Sequence, residues 1–115
     1  MKLPHVDEAR VTRDKVTGYL MDPGHFRGRH KASFFARFGF RSAQWQVLAE
    51  ALRGHAREHE VVAKQDTPFG TRYTIEGRLD TPSGRRPLLR TVWIVERTTT
   101  TPRLVTAYPL DERPA

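Results

Sequence analysis

Thr71-Arg-Tyr-Thr-Ile-Glu-Gly-Arg-Leu79 sets Tyr73, Ile75 and Leu79 against Arg72, Thr74, Glu76 and Arg78. A period of two is the mark of a strand with one dry face and one wet face. Three similar runs surround it: Glu60 to Thr67 before, Leu88 to Arg97 and Arg103 to Tyr108 after. All are short and rich in β-branched or aromatic residues. Pro68-Phe-Gly70, Pro82-Ser-Gly84 and Thr98 to Pro102 separate them as turns, with no crossover helix between. Strands joined only by turns pair as an antiparallel meander. Leu88 to Val95 departs from the alternation, being apolar on both faces except at Arg90 and Thr91. That suits a central strand with helices on one side.

Upstream of Glu60 the period is helical. Val11 to Met21 places Val16, Tyr19 and Leu20 on one side and stops at Asp22-Pro23-Gly24. Arg29 to Phe38 repeats Phe34, Phe35 and Phe38 at helical spacing; Gly39 is placed to end it in the left-handed region, with Phe40 folding back onto it. Ser42 is placed as N-cap of a third helix running to Arg57, whose Trp45, Leu48, Ala49, Leu52 and Ala56 form one apolar stripe. The expected fold class is α+β, three N-terminal helices packed on a four-stranded antiparallel β-meander. One domain is expected over residues 1–115, with a frayed tail at 110–115. The expected core is Phe34, Phe38, Trp45, Leu48, Leu52, Ile75, Val92, Ile94 and Leu104.

Composition bounds the function. The chain is 115 residues long, 37% hydrophobic and 29% charged, as in ordinary globular domains. Its length lets roughly 65% of the unfolded surface be buried without metals or disulfides. It has no cysteine, which removes zinc ribbons, thiol catalysis and disulfide scaffolds. No signal-like segment follows Met1 and no stretch approaches membrane-spanning length, so the expected location is cytoplasmic, with no membrane partner. The net charge of +7 is unevenly spread: residues 1–57 hold 11 bases and 5 acids, residues 58–115 hold 9 and 8. Within residues 25–41 five cationic residues occur with no acid. Such a surface suits an anion, nucleic acid first and an acidic protein second. Arg outnumbers Lys 16 to 4, which reflects either genome composition or a use for bidentate phosphate contacts.

Several residues are candidates for chemistry. His30 and Lys31 open the second helix, where free N–H groups favour an anion, and Arg27 and Arg29 lie just before them; alternatively the four simply cap and solubilise that helix. Arg90, in an apolar strand, needs either a cleft or an ion pair with Glu96, Glu76 or Asp66. Thr106 and Tyr108 close the last strand, and an antiparallel pairing brings them beside the start of the third. Arg72 follows the Gly70 turn. His55 and His59 have the i, i+4 spacing of a metal pair but lack a third ligand, and no metal site is assigned. There is no Walker loop, dinucleotide glycine fingerprint, nucleophile elbow or His-Glu-x-x-His.

Leu3-Pro4 with Ala9, Lys15-x-x-x-Tyr19-Leu20 with Pro23, Gly28-Arg-His-Lys-Ala32 with Phe34-Phe35 and Gly39-Phe40, Arg90-Thr-Val-Trp93, and Pro102-Arg-Leu-Val-Thr-Ala-Tyr-Pro109 together resemble a bacterial domain-of-unknown-function family. The resemblance covers nearly the whole chain. Members of that family recur as carboxy-terminal modules of polymorphic toxins and near phage head-protein genes, and their element order is similar to the barnase, EndoU, colicin and RelE-like ribonuclease fold. Charge and resemblance together point to a toxin-like, metal-independent endoribonuclease acting through the RNA 2′-hydroxyl, with no cofactor. In that reading His30 is general base or acid, Lys31 and Arg90 hold the phosphate, Tyr108 or Thr106 orients the nucleotide, and Arg27, Arg29 and Arg72 bind flanking nucleic acid. RNA and an acidic immunity or antitoxin protein are the implied partners. The alternative is a non-catalytic basic module that binds nucleic acid or protein, phage-associated or immunity-partnered.

Overall fold

A computed structural model describes residues 1–111. Helical segments come first and an antiparallel sheet second, an α+β arrangement. A 3-10 turn (Val6–Glu8) leads to α1 (Arg13–Lys15), which runs directly into a π-helical turn, Val16–Leu20. Then come α2 (Arg29–Arg37), a 3-10 turn (Ser42–Gln44) and α3 (Trp45–Glu58). The strands are β1 (Val61–Thr67), β2 (Gly70–Arg78), β3 (Leu88–Glu96) and β4 (Arg103–Pro109), neighbours in chain order. No helix among the described residues is long and apolar enough to cross a membrane.

The end of α2 follows its sequence closely. Gly39 takes φ 95°, its N–H donates to the Ala36 carbonyl at 3.0 Å, and the Phe40 N–H reaches back to the Phe35 carbonyl at 3.2 Å. These two bonds are the Schellman pattern, and the Phe35 and Phe40 rings meet with centroids 6.0 Å apart. The start of α3 differs from expectation. Ser42 lies inside the 3-10 turn and makes no capping bond; α3 proper begins at Trp45. The first helix is also shorter than Val11 to Met21. Arg10 instead pairs in parallel with Arg103, extending the chain alongside β4.

One face of the sheet carries the helices. Tyr73, Ile75, Leu89, Trp93, Leu104 and Ala107 meet Val16, Leu20, Phe34, Phe35, Leu48 and Leu52 in one buried cluster. Of the expected core residues, Phe34, Phe38, Leu48, Leu52, Ile75 and Leu104 belong to it, and Trp45 packs against it half-buried. Val92 and Ile94 are buried as expected, but outside that cluster. Side chains alternate along a strand, so both lie on the opposite face from Trp93, together with Arg90; Trp93 and Leu89, both fully buried, are the residues that β3 gives to the cluster. A bulge between Val92 and Trp93 adds Val105 to β4 and keeps Leu104 and Ala107 on the helical side. At the start of the tail the Leu110 N–H donates to the Leu88 carbonyl at 3.1 Å. The remainder of that expected frayed segment, 112–115, lies outside the described residues.

Candidate functional site

The helix-free face of the sheet is built from cross-strand rows. Glu76 lies opposite Arg90 and Arg90 opposite Tyr108, so three polar side chains line up across β2, β3 and β4. Arg90 donates from Nε to Glu76 Oε2 at 2.7 Å and from Nη1 to the Tyr108 hydroxyl at 2.9 Å. Its Nη2 also engages Glu76. The Tyr108 hydroxyl first, and the Glu76 carboxylate second, hold Arg90 protonated above the ordinary guanidinium range. Of the three acids offered by the sequence to Arg90, Glu76 is its partner. Glu96 pairs instead with Arg103, and Asp66 accepts from Thr71.

The adjoining row is Thr74, Val92 and Thr106, and here the helical layer reaches round the β4 edge. Tyr19, in the π turn, shares a 2.9 Å hydroxyl–hydroxyl bond with Thr106. Lys15 donates to the Val105 carbonyl at 3.0 Å and sits 5.1 Å from the Tyr19 ring centroid. Lys31 lies 5.4 Å from the same centroid and donates to the Arg27 carbonyl. Two ammonium groups therefore share one aromatic ring. Burial, the largest influence, lowers the Lys15 pKa, with the Tyr19 oxygen opposing it and Arg103 adding to it. His25 packs edge-on against Tyr19 at 5.1 Å. Its Nδ1 accepts the N–H groups of Arg27 and Gly28 at 3.0 and 3.1 Å, which assigns the ring proton to Nε2.

A glycine makes this meeting possible. A Cβ on Gly28 would stand 2.0 Å from the Tyr19 carbonyl oxygen, so only glycine lets the start of α2 approach the π turn this closely.

Among the residues singled out from sequence, Arg90 and Tyr108 are bonded to each other, and Thr106 and Lys31 are linked through Tyr19. The His30 imidazole is exposed and makes no hydrogen bond, ion pair or ring contact with these groups. Arg27 and Arg29 are exposed on the flank, and Arg72 stands on the open face opposite Ile94, four strand positions from Glu76. Tyr19, Lys15, His25 and Glu76 were not singled out as site residues. The i, i+4 spacing of Lys15 and Tyr19 was the available signal for the first two.

His55 is fully occupied elsewhere. It is buried under α3, with Nε2 facing the Gly77 and Leu89 carbonyls at 3.1 and 3.0 Å and Nδ1 3.1 Å from the Thr91 hydroxyl. Among the described residues no three His, Asp or Glu side chains come together as a metal site.

The fold is similar to that of a chain in a contact-dependent growth inhibition toxin–immunity protein complex from Klebsiella pneumoniae 342, with a TM-score of 0.66 over 90% of this chain and 93% of that one. Sequence identity is 18%, so the likeness is one of fold. No curated protein matches the sequence significantly. Residues 2–111 match the family described as "Domain of unknown function (DUF6883)". That match spans almost the entire chain, and the protein belongs to the DUF6883 family.

Proposed function

We propose that the protein is a toxin-like endoribonuclease that cleaves RNA without a metal ion, at the cluster joining the Arg90 row to Tyr19. The observation that carries this reading is the arrangement of Arg90, Tyr108, Thr106 and Tyr19, with Lys15 and Lys31 both against the Tyr19 ring. Cations and hydroxyls are gathered at one edge of an open sheet face, as a phosphate diester with ribose hydroxyls requires. In the reaction the 2′-oxygen bonds to phosphorus as its proton leaves, the P–O5′ bond breaks and O5′ is protonated. The products are a 2′,3′-cyclic phosphate and a 5′-hydroxyl.

Arg90 and Lys31 meet the charge of the phosphorane. Lys15 rests as an ammonium against the Tyr19 ring, and its lowered pKa eases loss of that proton; once it is the free amine it takes the 2′-hydroxyl proton. Tyr108 accepts from Arg90, which leaves its own O–H free to protonate O5′. Thr106 and Tyr19 orient the ribose. His30, exposed and apart from these groups, takes no part in the proton transfers in this reading.

Incubation with total RNA in EDTA tests the reaction. Fragments ending in 2′,3′-cyclic phosphate are expected from the wild type and far more slowly from Arg90→Ala; RNA left intact by the wild type overturns the reading. The net charge of +7 and the fold shared with one chain of a toxin–immunity complex also support a second role for the basic surface. It suits an acidic immunity or antitoxin protein that covers the same cations. Inhibition of cleavage by such a partner, relieved at high salt, is the expected result.

A further inference from the structure

At the other end of the open face, the β1–β2 hairpin holds Phe69 with 77% of its surface exposed. The turn that carries it is fixed from several sides. Arg97 donates from Nε to the Pro68 carbonyl at 2.9 Å and from Nη2 to the Thr67 carbonyl at 3.0 Å. Its backbone N–H reaches the Phe69 carbonyl at 3.3 Å. Thr67 Oγ1 donates to the Gly70 carbonyl at 2.7 Å and accepts the Phe69 N–H at 3.2 Å. Gly70 turns with φ 146° and lies so close to β3 that a Cβ would stand 2.3 Å from the Val95 carbonyl oxygen. An exposed aromatic ring on a turn held this firmly is preorganised for contact rather than buried for stability.

Phe69 lines one groove with Arg72, Ile94, Glu96, Arg103 and Val105. Ile94 and Val105 give it an apolar floor. Arg103 is engaged by Glu96, Nε to Oε1 at 2.7 Å, whereas the half-buried Arg72 guanidinium makes no hydrogen bond or ion pair with another described residue. An aromatic face, an apolar wall and an uncompensated guanidinium fit a flat heterocycle joined to a phosphate. We propose that Phe69, Arg72, Ile94 and Arg103 form a subsite that stacks one unpaired nucleobase of a single-stranded RNA, with Arg72 on its phosphate. The proposal rests on the ribonuclease reading and names how that site holds its substrate. Arg72 and Glu76 are four residues apart on β2, which places the subsite roughly 13 Å along the strand from the Arg90 row. It therefore holds a nucleotide flanking the one being cut.

The test uses a 2′-O-methyl oligoribonucleotide, which lacks the attacking hydroxyl and is bound without being cut, together with an abasic oligonucleotide of equal length and charge. Phe69→Ala is expected to bind the 2′-O-methyl strand roughly 5- to 150-fold more weakly than the wild type. The two proteins should bind the abasic strand equally. Phe69→Trp should retain affinity, with its added fluorescence quenched by the 2′-O-methyl strand and not by the abasic one. Unchanged melting of both variants, natural for so exposed a position, shows that folding is not the cause. If Phe69→Ala binds the 2′-O-methyl strand as tightly as the wild type, the subsite is wrong while the cleavage reading stands, and the pinned hairpin is left as a protein contact. If the wild type neither binds nor cuts RNA even at low salt, the cleavage reading and the subsite fall together.

Discussion

Tyr19 and Thr106, 87 positions apart in sequence, meet hydroxyl to hydroxyl at 2.9 Å. The π turn of Val16–Leu20 makes this possible by widening the helix at Tyr19, with the Met21 N–H reaching back five residues to the Val16 carbonyl at 2.8 Å. Val16 and Leu20 stay in the core while Tyr19 leans over the β4 edge, carrying Lys15, Lys31 and His25 around its ring.

Tyr19→Phe removes only the hydroxyl bond and keeps the ring on which the lysines sit. Its expected stability cost is about 0.5–1.5 kcal/mol, with a fall in cleavage rate larger than that loss of folded protein explains. Gly28→Ala should cost more in stability, because backbone must move to clear the Tyr19 carbonyl. Urea titrations alongside initial cleavage rates separate the two variants. A Tyr19→Phe protein as active as the wild type would leave Tyr19 a purely structural tie.

Arg90 and Glu76 test the charge balance of the open face. Arg90→Ala is expected to lower the cleavage rate by roughly 10²–10³ if its guanidinium stabilises the phosphorane, with folding retained because the pair is partly solvated. Glu76→Gln should do the opposite to binding by releasing Arg90 to a phosphate. For three or four phosphate contacts the slope of log affinity against log salt is about −2 to −3, and one more contact steepens it by about 0.7. A flat salt dependence in the wild type would remove RNA as the ligand of this face.

What could be read from sequence followed how local each signal was. The end of α2 is written in Gly39 and Phe40, and both perform as their types require. The meander is legible because each strand is bounded by its own turn. β3 resisted because a strand apolar on both sides carries no alternation. Only the parity of Arg90 with Val92 and Ile94 marked those two as belonging to the open face. Tyr108 beside Arg90 follows from antiparallel register. Tyr19 does not, since nothing in Val16–Leu20 distinguishes a π turn from an α turn, and one extra residue per turn redirects the side chain. His30 and His25 likewise exchange prominence: the helix start favours His30 on paper, while His25 is the one turned onto Tyr19.

Trp93 and Trp45 should part in a stability measurement. Trp93 is fully buried at the centre of the sheet, its indole N–H donating to Thr91 at 2.9 Å, whereas Trp45 is half-buried at the start of α3. Trp93→Ala is expected to cost about 3–5 kcal/mol and Trp45→Ala clearly less. Equal losses in urea denaturation would contradict the placement of Trp93 deep in the core.

His55 gives the fold a built-in pH dependence. Its Nε2–H faces two carbonyls while Nδ1 accepts from Thr91, whose oxygen in turn takes the Trp93 N–H, so the neutral ring satisfies every partner. Burial first, and the neighbouring His59 second, press its pKa down to about 4 against the two carbonyls, which favour the cation. In the unfolded chain the same ring titrates near 6.5. Between these values the unfolded state binds a proton that the folded state does not. Stability is therefore full above about pH 6.5, falls by about 1.4 kcal/mol per pH unit as pH drops towards 4, and loses nothing further to His55 below that. The total is about 3 kcal/mol. Urea midpoints at pH 7.5, 5.5 and 4.5 should show the decline in the wild type and a flatter response in His55→Gln, which is less stable at pH 7.5 but has no ring to protonate. Parallel curves for the two proteins would mean that the acid sensitivity comes from the carboxylates, and that the His55 network tolerates the proton.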